Sequence, residues 1–233
     1  MKQTFITANA TKAPQSIRNS YVQYGCGLSA PEDWLNFDAS PNLLIERLPI
    51  ISLFYAGKKF AADYSVRVKF PRTIQFGNIV KGLPLKNGSV KAIYASHVLE
   101  HLSLDDFRVA LKNTFNMLES GGIFRLIVPD LKLLAGRYIK SSDTKASISF
   151  IEEIGMGSIT RPRGLKGIIQ TFFGNGKHLW MWDYKSLKLE LENIGFTDIR
   201  IAYFNDSEDP MFKSVEDQER FVDAVAIQCK KPC

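Results

Sequence analysis

The residues best suited to chemistry are the histidines, of which the 233-residue chain has three. His97 follows an apolar run, and Glu100 and His101 come one helical turn later. Histidine can exchange a proton near neutral pH, so His97 and the later His178 are candidate general bases. His101 is expected to satisfy a polar group behind the site. Glu100 is either a hydrogen-bond partner behind the site or a solvated helix residue.

A glycine turn and a later carboxylate form a second candidate constellation. Gly25 and Gly27 follow an alternating apolar–polar run, and glycine lets backbone amides approach a ligand closely. Asp38 ends the next predicted strand, where a carboxylate can accept hydrogen bonds from both ribose hydroxyls of a nucleoside. A plain tight turn and a helix cap are the alternatives. Cys26 is interpreted as a packing residue, because no basic neighbour in sequence activates its thiol.

Polar and aromatic residues later in the chain are candidates for binding a second ligand. Asp130 follows a buried apolar run, and it either faces the cleft or caps the next helix. Trp180 either stacks on a sugar or ring, or packs in the core with Trp182. Asp183 either contacts a substrate or caps the helix that it precedes.

Strand and helix signals alternate along the chain, which predicts an α/β fold with a mainly parallel sheet. Ser103 and Asp106 form a capping pattern before a helix that Gly121-Gly122 is expected to end. Strands are predicted at residues 21–24, 34–38, 73–76, 90–96, 123–128, 197–204 and 221–229. Helices are predicted at residues 131–139 and after Asp183, with Gly195 as the stop of the latter.

Two segments interrupt this alternation, at residues 41–71 and 141–177. Both follow predicted strand ends, so we expect insertions that cap the cleft of one domain spanning residues 1–233. Residues 41–55 are predicted to form an apolar helix that covers the cleft or meets a partner. Contact with a membrane surface is the less favoured alternative.

Composition narrows the classes of function and location. The net charge is +6 and the pI about 9.1, but the basic residues are scattered, so nucleic acid is not the expected partner. The three cysteines lack metal-ligand spacing, and no metal site is predicted. Neither a secretory signal nor an apolar run of membrane-spanning length is visible, so a cytoplasmic location is expected.

Taken together, the motifs G-C-G, W-L-N-F-D, Y-A-S-H-V-L-E-H-L and S-G-G-I-F-R-L-I-V-P-D resemble class I S-adenosylmethionine-dependent methyltransferases. The later H-L-W-M-W-D is similar to a bacterial subgroup often associated with surface-polysaccharide gene sets. The resemblance implies a Rossmann-like, doubly wound sheet of about seven mostly parallel strands, with an antiparallel final strand and helices on both faces. Cofactor contacts implied by it are Gly25, Cys26, Gly27, Asp38, Asn78, Ile79, Ser96 and His97. It places acceptor recognition on the side of Asp130, His178, Trp180 and Asp183.

The chain departs from the family pattern in its glycine turn. Gln23 stands where an acidic residue is common, the third glycine is missing, and the connection to the next strand is short.

The leading hypothesis is methyl transfer from S-adenosylmethionine to a small-molecule or saccharide-linked acceptor. A methyltransferase-like binding protein without turnover is the main alternative. For a nicotinamide-dependent enzyme Asp38 comes too early, and a nucleic-acid methyltransferase would bind with steep salt dependence. The acceptor, the methylated atom and the oligomeric state stay open.

Overall fold

A computed structural model describes residues 20–47, 69–158 and 177–233, and within them one sheet of seven strands. The strands are β1 (Ser20–Tyr24), β2 (Trp34–Asp38), β3 (Gln75–Phe76), β4 (Val90–Ser96), β5 (Leu118–Pro129), β6 (Thr197–Ile201) and β7 (Ala224–Lys230). The α-helices are α1 (Pro41–Arg47), α2 (Leu104–Met117), α3 (Leu131–Lys140), α4 (Ala146–Glu153) and α5 (Tyr184–Ile194).

The strand order is β3-β2-β1-β4-β5-β7-β6. Strands β1 to β5 pair in parallel, whereas β7 is antiparallel to both of its neighbours. The predicted Rossmann-like sheet with an antiparallel final strand is therefore confirmed. Strand order reverses between β1 and β4, and the carboxyl ends of strands at such a switch point are where open α/β sheets bind ligands.

Both faces of the central strand β4 are buried, as its nearly continuous apolar sequence predicts. Ile93 and Ala95 belong to one core, together with buried residues of α2 and α5. Ala92 and Tyr94 belong to a second core on the other face, which includes Phe212 of a 3₁₀ helix, Pro210–Ser214. The α-helices α2 and α5 thus cover one face of the sheet, and the 3₁₀ helix covers part of the other.

The predicted beginning of α2 is confirmed, but its predicted end is wrong. The Ser103 side chain accepts a hydrogen bond from the Asp106 amide at 3.3 Å. The helix ends at Met117, before the two glycines. Gly121 and Gly122 instead lie in β5, where their backbone groups exchange hydrogen bonds of 2.9 Å with Lys231. Pairing with the chain terminus therefore takes precedence over the helix-stop signal.

The two predicted insertions are described only in part. Of the apolar helix predicted at residues 41–55, the first seven residues are helical as α1, whereas residues 48–68 and 159–176 lie outside the described residues. Ser40 caps α1 by accepting a 3.3 Å hydrogen bond from the Leu43 amide, so Asp38 is not the cap. Among the described residues, no helix has the length and apolar character needed to cross a membrane.

Candidate functional site

The glycine turn after β1 has one closed and one open position. Gly25 has φ +63° and Gly27 has φ +56°, a region that favours glycine. A Cβ on Gly25 would lie 2.1 Å from a methyl carbon of Val98, so packing requires this glycine. A Cβ on Gly27 would meet no described atom within 4 Å. Of the two glycines in this turn, Gly27 is therefore the one with open space beside it.

Asp38 joins this turn to the end of β2. Its Oδ2 accepts a 2.9 Å hydrogen bond from the Gly27 amide, and its Oδ1 accepts one of 2.7 Å from the Ser40 amide. The residue is buried. A carboxylate has about four lone-pair sites, so acceptor capacity remains for a ligand.

The predicted adenine-side residues lie next to Asp38 along the sheet edge. The Gly77 amide donates to the Asp38 carbonyl at 3.0 Å, which brings the turn after β3 alongside β2. Asn78 folds its side-chain oxygen back onto the Val80 amide at 2.8 Å. Ile79 is buried in the larger core. The turn is thus held by its own side chains and by core packing.

Cys26 lies within the glycine turn. Burial, with a smaller contribution from the charge of Asp38, raises the pKa of its thiol to about 12. The thiolate is the nucleophilic form of cysteine, so Cys26 is not an activated nucleophile. Its roles in packing and beside the cofactor stay predictions.

His97 lies at the carboxyl end of β4, directly after Ser96. Its backbone is in the left-handed region, with φ +54°. Ring atom Nε2 donates to the Arg220 carbonyl at 2.9 Å, and Nδ1 lies 3.4 Å from Oε1 of Glu100. Burial lowers the pKa of His97, but Glu100 and the Arg220 carbonyl raise it more, so the net shift is upward.

Glu100 is fully buried (0% exposed), so its interpretation as a solvated helix residue is wrong. Within the described part of the chain, neither of its carboxylate oxygens accepts a hydrogen bond. The Nε2 atoms of His101 and His178 each lie 4.0 Å from its Oε1. With His97, all three histidines of the chain therefore surround one buried carboxylate.

Backbone contacts hold His101 and His178 in this arrangement. Nδ1 of His101 donates to the Lys177 carbonyl at 3.0 Å, and Nδ1 of His178 donates to the Ile154 carbonyl at 2.8 Å. Gly155 makes room for the His178 ring, since a Cβ there would lie 2.7 Å from Nδ1. The sequence did not predict this role of Gly155, because a glycine alone does not indicate which side chain packs against it.

The aspartates predicted on the acceptor side serve as helix caps. The Asp130 side chain accepts from the Lys132 amide at 2.9 Å at the start of α3. Asp183 accepts from the Ser186 amide at 2.8 Å and forms a capping box at the start of α5. This backbone hydrogen bond, with the Ser186 hydroxyl, lowers the pKa of Asp183.

The two tryptophans of the W-M-W run differ in exposure. Trp182 is 2% exposed, and its ring centroid lies 4.1 Å from that of Phe107 in the core. Trp180 is 41% exposed, and its amide donates to the Glu100 carbonyl at 3.1 Å. Core packing thus accounts for Trp182, and Trp180 is the member that a ligand can reach.

Comparison with known protein families finds a match over this region. Residues 24–126, from the end of β1 into β5, match the sequence model of a family described as a methyltransferase domain. Among solved structures, an S-adenosylmethionine-dependent methyltransferase from Archaeoglobus fulgidus is 15% identical, with 93% of this chain and 87% of that chain covered and a TM-score of 0.48. A possible histamine N-methyltransferase from Thermotoga maritima is 16% identical, with 94% and 84% covered and a TM-score of 0.47. No curated protein sequence matches the chain.

Proposed function

We propose that the protein is an S-adenosylmethionine-dependent methyltransferase that acts on a small-molecule or saccharide-linked acceptor. The observation that carries the proposal is the match to a methyltransferase domain over residues 24–126. That segment contains the turns that bring Gly27, Asp38 and His97 to the carboxyl edge of the sheet. This edge, at the switch point between β1 and β4, is where such a sheet binds a nucleoside.

In this proposal, each strand end contributes one part of the cofactor site. Gly27 leaves space for the backbone to approach the ligand, and Asp38 retains lone pairs for the ribose hydroxyls. The turn of Asn78 and Ile79 borders the adenine. Ser96 and His97 lie nearest the reacting centre, because β4 is the central strand beside β1.

Bound S-adenosylmethionine supplies an electrophilic methyl group on a sulfonium. The chain must hold the acceptor in line, about 3–3.5 Å from that methyl, and remove its proton where it has one. The ring nitrogens of His97 and His178 that are not hydrogen-bonded to a carbonyl both face Glu100. A proton taken up on either ring would be stabilised by the Glu100 carboxylate. Trp180 offers an exposed aromatic face to the acceptor.

Two experiments test the proposal. The first measures S-adenosylhomocysteine binding by calorimetry. The second uses mass spectrometry to search for a methylated product in cell extract incubated with the protein and S-adenosylmethionine. We expect binding and a methylated product. The double variant His97→Ala/His178→Ala should keep the cofactor affinity and lose about 10²–10⁴-fold in turnover. Absence of binding by folded protein would refute the cofactor site. Binding without any methylated product would support the non-catalytic alternative. Full activity of the double variant would exclude histidine as the general base and leave positioning of the acceptor as the only contribution of the chain.

A further inference from the structure

The histidine cluster has a shared hydrogen-bonding pattern that the proposed methyl transfer does not require. Each of the three rings donates one N–H to a backbone carbonyl: His97 to Arg220, His101 to Lys177 and His178 to Ile154. A carbonyl can only accept, so the ring nitrogen that contacts it must carry the hydrogen. In a neutral ring the other nitrogen then has a lone pair, and in all three rings that nitrogen is directed at Glu100.

With the three rings neutral, the centre of the cluster contains no positive charge. Glu100 brings a buried carboxylate without a hydrogen bond in the described part of the chain, and the facing ring nitrogens bring lone pairs. Burial of an unpaired carboxylate is expensive, and structures compensate it with a partner or a metal ion. The 4.0 Å separations from His101 and His178 are too long for direct hydrogen bonds.

We propose that Glu100, His101 and His178 bind a divalent transition-metal cation, with Zn²⁺ as the first candidate. One ligand atom from each residue lies within 4.8 Å of the other two. Zinc bonds to imidazole nitrogen and carboxylate oxygen are about 2.0–2.2 Å long, so a cation between atoms 4.0 Å apart reaches both. Two histidines and a carboxylate are also a ligand set of catalytic zinc sites, which keep one position open.

The surroundings resemble the outer shell of a metal site. Metal-bound histidines commonly donate their second ring N–H to a carbonyl or carboxylate, which fixes ring orientation. Lys177 and Ile154 supply those carbonyls, and Gly155 leaves room for the His178 ring. Both ligand histidines are partly exposed, with 26% and 17% of their side-chain surface accessible, so water or a substrate atom can reach the remaining position.

With Zn²⁺ bound through Nε2, His178 has no free ring nitrogen to accept a proton, so in the metal-bound protein His97 is the candidate general base. It faces the same carboxylate, yet it is not part of the set whose ligand atoms lie close together. The metal proposal contradicts the sequence-based prediction of no metal site, which considered only the spacing of the cysteines.

The test is a titration of the chelator-treated, full-length protein with Zn²⁺ by calorimetry, together with the visible absorption spectrum of the Co²⁺-loaded protein. We expect one Zn²⁺ per chain and Co²⁺ bands typical of a low-coordinate site. His101→Ala and His178→Ala should each weaken Zn²⁺ binding by more than the roughly 10–100-fold that the loss of an outer-shell partner costs. His97→Ala should change the Zn²⁺ affinity by less than either.

Thermal unfolding of each variant without metal confirms that it is folded. Added Zn²⁺ should raise the Tm of the wild type and of His97→Ala, because the cation binds only the folded cluster, and should leave the ligand variants unchanged. No Zn²⁺ or Co²⁺ binding at micromolar concentration would overturn the proposal and leave a protonated histidine as the partner of Glu100. Wild-type affinity in a folded His101→Ala or His178→Ala variant would also overturn it. Neither readout depends on S-adenosylmethionine, so failure here is distinct from failure of the proposed function.

Discussion

Two buried charged centres of the molecule differ in how their charge is compensated. In the middle of β5, Arg125 is 1% exposed and its guanidinium is contacted from several sides. Its contacts are Asp206 at 2.9 Å, Glu216 at 2.6 Å, Gln228 at 2.8 Å and the Tyr203 carbonyl at 2.9 Å. Glu100, at the carboxyl edge of the sheet, accepts no hydrogen bond within the described residues, and the nearest group that could carry a positive charge is His97, whose Nδ1 lies 3.4 Å from Oε1.

The difference separates structural from functional use of a buried charge. Arg125 lies opposite Gln228 in β7 and links the sheet to the segment that carries Asp206 and Glu216. The guanidinium donates hydrogen bonds to Asp206, Gln228 and the Tyr203 carbonyl, and Oε1 of Glu216 is compensated by its 2.6 Å ion pair rather than by a hydrogen bond. Glu100 follows the carboxyl end of β4, and the three histidine rings around it direct ring nitrogens toward its carboxylate. An uncompensated charge costs stability, and proteins tolerate that cost at sites that bind ligands.

The largest expected effect is the loss of the compensated centre. Arg125→Met should lower the free energy of unfolding by about 3–5 kcal/mol, because Glu216 would remain buried without its partner. Urea unfolding measures the change. Arg108→Met is the matched control: in its 2.7 Å pair with Glu190, half of the Arg108 side-chain surface is accessible to solvent, so we expect a loss below about 1 kcal/mol. Equal losses in both variants would contradict the distinction.

Asp38 is intermediate between the two centres. It is a buried carboxylate that accepts hydrogen bonds from backbone amides and still has lone pairs for a ligand. Asp38→Asn should weaken S-adenosylhomocysteine binding by about 1.5–3 kcal/mol and stability by about 1 kcal/mol, since both the ribose and the Gly27 amide lose a charged acceptor. Calorimetry and urea unfolding give the two values. Asp183→Ala should cost about 1 kcal/mol of stability as a lost helix cap and leave the affinity unchanged. If both variants lost affinity equally, Asp38 would have no specific part in binding.

Glu100 should respond in the opposite direction to Arg125. In chelator-containing buffer, Glu100→Gln should raise the free energy of unfolding by about 1–3 kcal/mol, because it removes a buried, unpaired charge with little change of shape. Urea unfolding with EDTA present is the measurement. A loss of stability comparable to that of Arg125→Met would show that Glu100 is compensated after all, and would remove the contrast between the two centres.

The smallest expected effect on stability is at the exposed edge of the Glu100 cluster. Trp180→Ala should change the free energy of unfolding by less than about 0.5 kcal/mol, since the residue is well exposed. Under the proposed function it should mainly raise the KM for the acceptor. Steady-state kinetics with the identified acceptor separate KM from kcat, and an effect confined to kcat would place Trp180 away from acceptor binding.

Regular elements were predictable where the local signal and tertiary packing agree. β2 and β4 were predicted at their observed bounds, because each is apolar and bounded by turn residues. The end of α2 was not, because the signal of Gly121-Gly122 is local, whereas the pairing of this segment with Lys231 involves the far end of the chain.

The residues of the candidate site also divide into those that the sequence predicts and those that depend on distant contacts. Strand-end positions such as Gly27, Asp38 and His97 follow from the alternation of elements, and the structure brings them to one edge. The approach of His178 to Glu100 was not predictable, since it depends on the folding of the segment around Gly155. Spacing along the chain carries no information about such a contact.

The carbonyls that hold the three rings belong to residues whose side chains take no part in the contact. Lys177 and Arg220 are exposed, and only their backbone oxygens touch His101 and His97. Replacement of either side chain would therefore leave the orientation of the rings intact. The Arg220 side chain does act on the interior through its charge, which lowers the pKa of His97, so exchange of this exposed residue would change the basicity of the cluster without moving its rings.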